Sequence, residues 1–196
     1  ISTVQLKLAE DGEILLGADS SFKGYYKDEA ATGETLKDGW LHTGDVGQFD
    51  EEGHLYIVDR KKDIIITSGG KNISPSEIEN NMKCSPYIKE AIVFGDGRKY
   101  LTAMVQLEYD NVGKWATAQK ISYTNYKSLA QNPDVYQFIE IEIDKLNEDL
   151  ARVEQIKKFI ILSKELDQDD EELTATQKVK RKVIEKQFQV EIESMY

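Results

Sequence analysis

Four short stretches of this chain hold side chains suited to a ligand that carries hydroxyls or phosphates. Thr43-Gly44-Asp45 joins a glycine, which lets the backbone turn tightly, to a carboxylate. Two acceptor oxygens on one carboxylate suit two hydroxyl donors on adjacent carbons, as on a ribose. Arg60 adds a permanently charged guanidinium fork for a ribose or phosphate oxygen. In Ser68-Gly69-Gly70-Lys71 the paired glycines permit positive φ and close approach of a ligand to the backbone. Leu173 to Arg181 places Lys178 after an acidic loop, where a point charge can meet the negative charge developing on a transferring phosphoryl group.

Each stretch also has a plainer reading. Asp45 after Gly44 is equally a turn residue, and Arg60 a surface partner of Asp59 or Asp63. Ser68 to Lys71 can be a strand-to-helix turn. It is not a Walker A loop, because Ile65 stands where the first glycine belongs and Asn72 follows the lysine. Lys178 to Arg181 can be the basic first turn of a helix. Cations there oppose the macrodipole, which itself points toward an anionic ligand.

The elements that position these residues follow from periodicity. Val4, Leu6 and Leu8 alternate as a half-buried strand, Asp11-Gly12 turns the chain, and Glu13 to Leu16 returns it. Residues 18–36 read as loop with one helical turn. Trp40 to Phe49 and His54 to Val58 form a hairpin, and Ile64-Ile65-Ile66 a short strand. Ser74, Pro75 and Glu77 carry the signature of a capped helix start, and Pro86 marks its end. Strands are expected at 91–94, 101–107 and 159–162, and helices at 111–119, 133–150 and 178–195. Val135, Ile139, Ile143, Leu146 and Leu150 give the long helix its core stripe. The fold expected is α+β: a small β-rich segment, then an α/β domain with a short mixed sheet and flanking helices, joined near 59–63.

Composition narrows the function. The chain has 196 residues, 40% hydrophobic, with 25 Lys+Arg against 36 Asp+Glu and a net charge of −11. It can fill a core, and its acidity argues against nucleic acid as a partner. Its notable apolar run, Phe159 to Leu162, is far short of the roughly 20 residues that cross a bilayer. Ile1 to Leu6 have no charged start and no signal-type apolar stretch, and read as a cut start. Cys84 is the sole cysteine, so an internal disulfide is excluded and a reducing compartment favoured. With only His42 and His54 as histidines, a zinc or His-rich centre is not expected, and no metal ligand is assigned.

Order and spacing say more than any one motif. Gly39-Trp40-Leu41-His42-Thr43-Gly44-Asp45, Asp59-Arg60-Lys61-Lys62-Asp63, Ser68 to Pro75 with Glu77-Ile78-Glu79, and Thr174 to Arg181 together resemble the late motifs of the adenylate-forming superfamily. That superfamily holds acyl-CoA synthetases, adenylation domains of peptide synthetases, and luciferases. Gly24 to Lys27 also fits. Gly95 to Thr102 and Glu154 to Phe159 look most like long-chain fatty acid–CoA ligases. The resemblance covers nearly the whole chain.

It implies ATP-dependent, AMP-forming chemistry: an acyl-adenylate forms, then coenzyme A takes the acyl group as a thioester. By resemblance Asp45 and Arg60 hold the nucleotide and Lys178 is the mobile catalytic lysine. Ser68, Gly69, Gly70 and Lys71 face the CoA channel, and Lys62 or Asp63 is the hinge. Gln177 and Ala175 stand where the family usually has glycine and proline. ATP/AMP with Mg2+, CoA and a fatty acid are the expected ligands. The location implied is cytoplasmic, with peripheral membrane contact allowed; oligomeric state is left open. The phosphate loop and acyl pocket of the family are not in this sequence. Residues 1–59 would then end a large domain and 60–196 form the mobile C-terminal domain of a longer enzyme, inactive alone. Two alternatives stay open: a non-catalytic binding or regulatory module using the basic Lys178–Lys186 face, and a ligase for another carboxylic acid.

Overall fold

The computed structural model describes residues 4–196, so the reading of Ile1 to Thr3 as part of a cut start lies outside them. The chain divides into two compact units, one ending at Ile64 and the other Ile65–Tyr196. Together they are α+β, as the residue patterns imply. No helix among the described residues is long and apolar enough to cross a membrane.

The first unit is built on an antiparallel sheet. β1 (Gln5–Leu8) and β2 (Glu13–Gly17) form a hairpin, and Gly12 at φ +82° makes its turn. After α1 (Glu29–Thr35) come β3 (Leu36–Lys37), β4 (Trp40–Phe49) and β5 (Leu55–Arg60). The order is β1-β2-β4-β3, with β5 also paired to β4. Two expectations change here. Val4 and Leu6 are exposed, at 50% and 39%, because β1 is an outer strand with no described layer over it. The single helical turn is a seven-residue helix, started by Asp28, whose carboxylate takes the N–H of Ala31 at 2.9 Å. Gly33 within it hides the helix from a propensity reading.

The second unit opens with β6 (Ile65–Ile66) and β7 (Asn72–Ile73), an antiparallel pair. Next come α2 (Pro75–Met82), β8 (Ile88–Phe94) and β9 (Leu101–Leu107). Three helices follow: α3 (Tyr109–Ala118), α4 (Tyr126–Ala130) and α5 (Pro133–Asp149). The chain ends in β10 (Ile156–Ile161), α6 (Arg181–Gln187) and α7 (Gln189–Ser194). β9 is the middle strand, antiparallel to β8 and parallel to β10, and all seven of its residues are buried.

Strand alternation splits the core in two. Ala91, Val93, Ala103 and Val105 pack with Ile78, Val112, Val135 and Ile139 from the helices after the first strands. Ile92, Phe94 and Met104 face the opposite way, toward Ile184, Ile192 and Met195. The stripe on α5 is core for Val135, Ile139 and Ile143.

Several boundaries differ from expectation: β8 starts at Ile88 and β10 at Ile156, each three residues early, α3 starts at Tyr109, and α4 was not expected. α2 ends at Met82, ahead of Pro86, because Cys84 and Ser85 already turn back to Asn81 and Met82. The glycine stretch connects β6 to β7 before the helix begins. The final helix starts at Arg181 and breaks at Phe188. Residues 173–179 are drawn instead into a small antiparallel bridge, Leu173 with Val179. Phe188 closes α6, opens α7 and packs on the second core.

Candidate functional site

Asp45 and Arg60 are cross-strand partners on β4 and β5, and Arg60 Nε lies 2.8 Å from Asp45 Oδ1. The guanidinium therefore goes to Asp45 rather than to Asp59 or Asp63. The ion pair lies outside hydrogen-bond geometry, so Oδ1, screened from solvent, has no hydrogen-bond donor among the described residues. An acceptor left in that state suits a hydroxyl donor.

The turn before Asp45 is held from below. Gly44 sits at φ +71°, and its N–H donates to Glu13 Oε1 at 3.0 Å. Glu13 Oε2 faces His42 Nδ1 and Lys61 Nζ, each at 3.0 Å, and Lys61 also reaches Asp11 at 2.6 Å. The Lys61 N–H donates to the Gly44 carbonyl at 2.8 Å. Burial would raise the Glu13 pKa, but hydrogen bonds from His42, Lys61 and the Gly44 N–H outweigh it and hold the carboxyl below its usual range. The hydrogen bond from Lys61 lowers Asp11, and the same contact, with that to Glu13, raises Lys61. Glu13 was not singled out from sequence. Its one signal was an acid heading the apolar run Ile14-Leu15-Leu16, and its partners lie far along the chain.

Ser68 to Lys71 form the exposed loop of the β6–β7 hairpin. Thr67 closes it: its N–H donates to the Lys71 carbonyl at 3.0 Å and its Oγ1 accepts the Lys71 N–H at 3.2 Å. Gly70 adopts φ +72°, while a side chain at Gly69 would meet nothing nearer than Thr67 Oγ1 at 3.9 Å. The turn between β8 and β9 braces the loop, since Ser68 N–H donates to the Arg98 carbonyl at 2.9 Å and Ile66 N–H to Asp96 Oδ1 at 3.0 Å.

Lys178 lies on a turn ahead of α6. Thr174 N–H donates to the Lys178 carbonyl at 2.8 Å, and Lys178 N–H to Thr174 Oγ1 at 3.0 Å. Gln177 takes the left-handed conformation, φ +61°, a region that glycine enters without a steric penalty. Lys178 is exposed, and its ammonium makes no hydrogen bond or ion pair among the described residues. Lys62 is exposed and Asp63 half-buried in a turn where Asp63 N–H donates to the Arg60 carbonyl at 2.9 Å.

Among the described residues, Asp50, Glu52 and His54 bring metal-type ligand atoms together. Asp50 is already used in the β4–β5 turn, accepting from the N–H groups of Glu52 and His54 at 2.9 and 2.7 Å. That accounts for the group without a metal.

A small mixed sheet clad by helices on both faces, with a glycine hairpin and a lysine turn, defines a domain of the AMP-binding enzymes. Residues 62–196 match the family model described as the AMP-binding enzyme C-terminal domain, and the chain belongs to that family. It is 38% identical over 192 residues to the long-chain-fatty-acid–CoA ligase FadD15 of Mycobacterium tuberculosis, covering 97% of this chain and 32% of that protein. The chain therefore spans about a third of the length of this relative. In fold it is similar to the adenylation domain of a carboxylate reductase from Mycobacterium chelonae (TM-score 0.81, 21% identity, 99% of this chain and 31% of that one). It is also similar to the O-succinylbenzoate coenzyme A synthetase of Bacillus subtilis, solved in complex with ATP and a magnesium ion. There the TM-score is 0.63 at 27% identity, over 93% of this chain and 34% of that one.

Proposed function

We propose that the chain is the C-terminal third of an ATP-dependent, AMP-forming long-chain fatty acid–CoA ligase. The observation that carries this reading is the cross-strand pair of Asp45 on β4 and Arg60 on β5, with Arg60 Nε 2.8 Å from Asp45 Oδ1. Asp45 takes the ribose hydroxyls of ATP or AMP, and Arg60 a neighbouring nucleotide oxygen. Residues 1–59 complete a large domain, and 60–196 are the mobile domain, pivoting at Lys62 or Asp63.

In the first half-reaction the fatty acid carboxylate attacks the α-phosphorus of ATP, and pyrophosphate leaves. The Lys178 ammonium, without a hydrogen bond or ion pair among the described residues, stabilises the charge that develops there. Mg2+ accompanies ATP and is held by the rest of the enzyme. In the second half-reaction the CoA thiol attacks the acyl carbonyl and AMP leaves, while the Gly69-Gly70 loop lines the approach of the thiol. One domain serving both steps by turning keeps the lysine out of the way of CoA. The enzyme works in the cytoplasm, and its long-chain acids partition into membranes, which allows peripheral contact of the parent enzyme.

The test is to measure each half-reaction in the full-length enzyme. Lys178→Ala should abolish acyl-adenylate formation and spare thioester formation from supplied acyl-adenylate; equal loss in both would overturn its assignment. Gly69→Leu fits the open space at that position, so it should slow the CoA-dependent step alone. An unchanged rate there would remove the loop from the CoA path.

A further inference from the structure

The turn that carries Lys178 stands on two charged anchors that no motif reading assigns a role. On one side, Glu172 is buried to 1% exposure. Its Oε1 pairs with Lys164 Nζ at 2.7 Å, its Oε2 accepts the Asp167 N–H at 3.0 Å, and its carbonyl accepts the Lys180 N–H at 2.8 Å. On the other side, Arg181 is the first residue of α6 and Glu79 lies on α2. Arg181 Nη2 donates to Glu79 Oε1 at 2.5 Å and Nη1 to the Val93 carbonyl at 2.5 Å. The Val93 N–H donates to the same Glu79 oxygen at 2.7 Å.

These three bonds close a ring around one residue of β8, an outer strand of its sheet. They use both backbone groups that Val93 turns away from β9. Both side chains are largely buried, at 21% exposure for Arg181 and 13% for Glu79. Burial pushes the Glu79 carboxyl up against the opposing pull of the Arg181 charge, so the guanidinium is what favours the ionised form. A lysine in place of Arg181 keeps the charge but cannot make two directed bonds from one planar fork.

We propose that Arg181 and Glu79 are a positioning pair for Lys178 in the adenylation step; this rests on the reading of Lys178 given above. The lysine side chain has no polar partner among the described residues, but its backbone is clamped three residues further on by Arg181 and, through Lys180, at Glu172. A stabilising charge acts only where the reacting charge appears, and a displacement of about 1 Å can lower a rate roughly 100-fold. A pair that merely sealed the sheet edge would matter equally to both half-reactions, because the Gly69-Gly70 loop belongs to the same unit.

The experiment compares Arg181→Lys, Glu79→Gln, the double variant and Lys178→Ala in the full-length enzyme, each assayed in both half-reactions. Each single substitution should lower the kcat of acyl-adenylate formation roughly 10- to 100-fold. Thioester formation from supplied acyl-adenylate should stay within about twofold, and the double variant should be no worse than the poorer single one. Hydrogen exchange should quicken in peptides covering 173–180 and stay unchanged over 101–107. Equal loss in both half-reactions, or faster exchange across 101–107, would mean the pair only holds the fold together and would overturn the proposal. Intact adenylation in Arg181→Lys beside a defective Lys178→Ala would overturn the proposal alone. Intact adenylation in Lys178→Ala would overturn the role of the lysine and the proposal with it.

Discussion

Glu13 Oε1 accepts the backbone N–H of Gly44 at 3.0 Å, so a carboxylate on β2 fixes the backbone immediately ahead of Asp45 on β4. The carboxylate proposed for the ribose hydroxyls thus depends on a second acid, Glu13, that holds the backbone before it. Glu13→Gln would set a neutral amide against Lys61 and His42 and weaken the hold on the turn. A hydrogen bond involving a charged group contributes about 1.5–3 kcal/mol, so AMP affinity should fall roughly tenfold or more. Calorimetry on the full-length enzyme measures it, and an unchanged Kd would show that Asp45 keeps its place without Glu13.

The same network sets a pH response. Asp11 and Glu13 have folded-state pKa values below their ordinary 3.8 and 4.5. Their contribution is therefore fully present above those ordinary values and is lost as pH falls through the lowered ones. Lys61 is raised above 10.5, so its share is present below that value and lost as pH rises through the raised one. The Gly44 amide proton reports directly on Glu13. Its NMR shift should titrate with a midpoint below 4.5 and stay flat through neutrality. A midpoint above 4.5 would contradict the balance of forces described for Glu13.

Gln177 offers a conformational test. A non-glycine residue in the left-handed region carries a steric penalty of about 1–2 kcal/mol, and β-branched residues fare worst. Gln177→Gly removes that penalty while loosening the unfolded chain, so stability should change by less than about 1 kcal/mol and adenylation should hold. Gln177→Val should lower both the melting temperature and the rate of acyl-adenylate formation. Equal rates in the two variants would mean that the turn at Lys178 does not need this backbone conformation.

Much of this was legible in the residues, and the limits have physical causes. Ser74 and Pro75 announced α2 because capping is local: the Ser74 side chain accepts the Glu77 N–H. The hairpin of β4 and β5 was equally plain from its turn at 50–53. Asp45 and Arg60 were found as separate motifs, and only strand register makes them partners. The roles of Glu13, Glu79 and Glu172 were not legible because their partners are set by tertiary packing, as with Glu79 and Arg181, which lie more than a hundred residues apart. The basic run at 178–182 suggested a helix start, yet hydrogen bonds to Thr174 and Glu172 took its first residues into a turn.

The burial of β9 on every residue has a consequence in time. Its two neighbours arrive very differently: β8 is made just before it, whereas β10 is made only after α3, α4 and α5. A ribosome adding roughly 5–20 residues per second leaves one edge of this apolar strand unpaired for several seconds. The helices that pack on one face of the sheet are complete before β10 emerges, and they shelter the strand during that wait. The opposite face has no such early cover, because Ile184, Ile192 and Met195 are made only after β10. Nascent chains of this domain are therefore most exposed to chaperones, and to one another, on the side that finally seats the Lys178 turn.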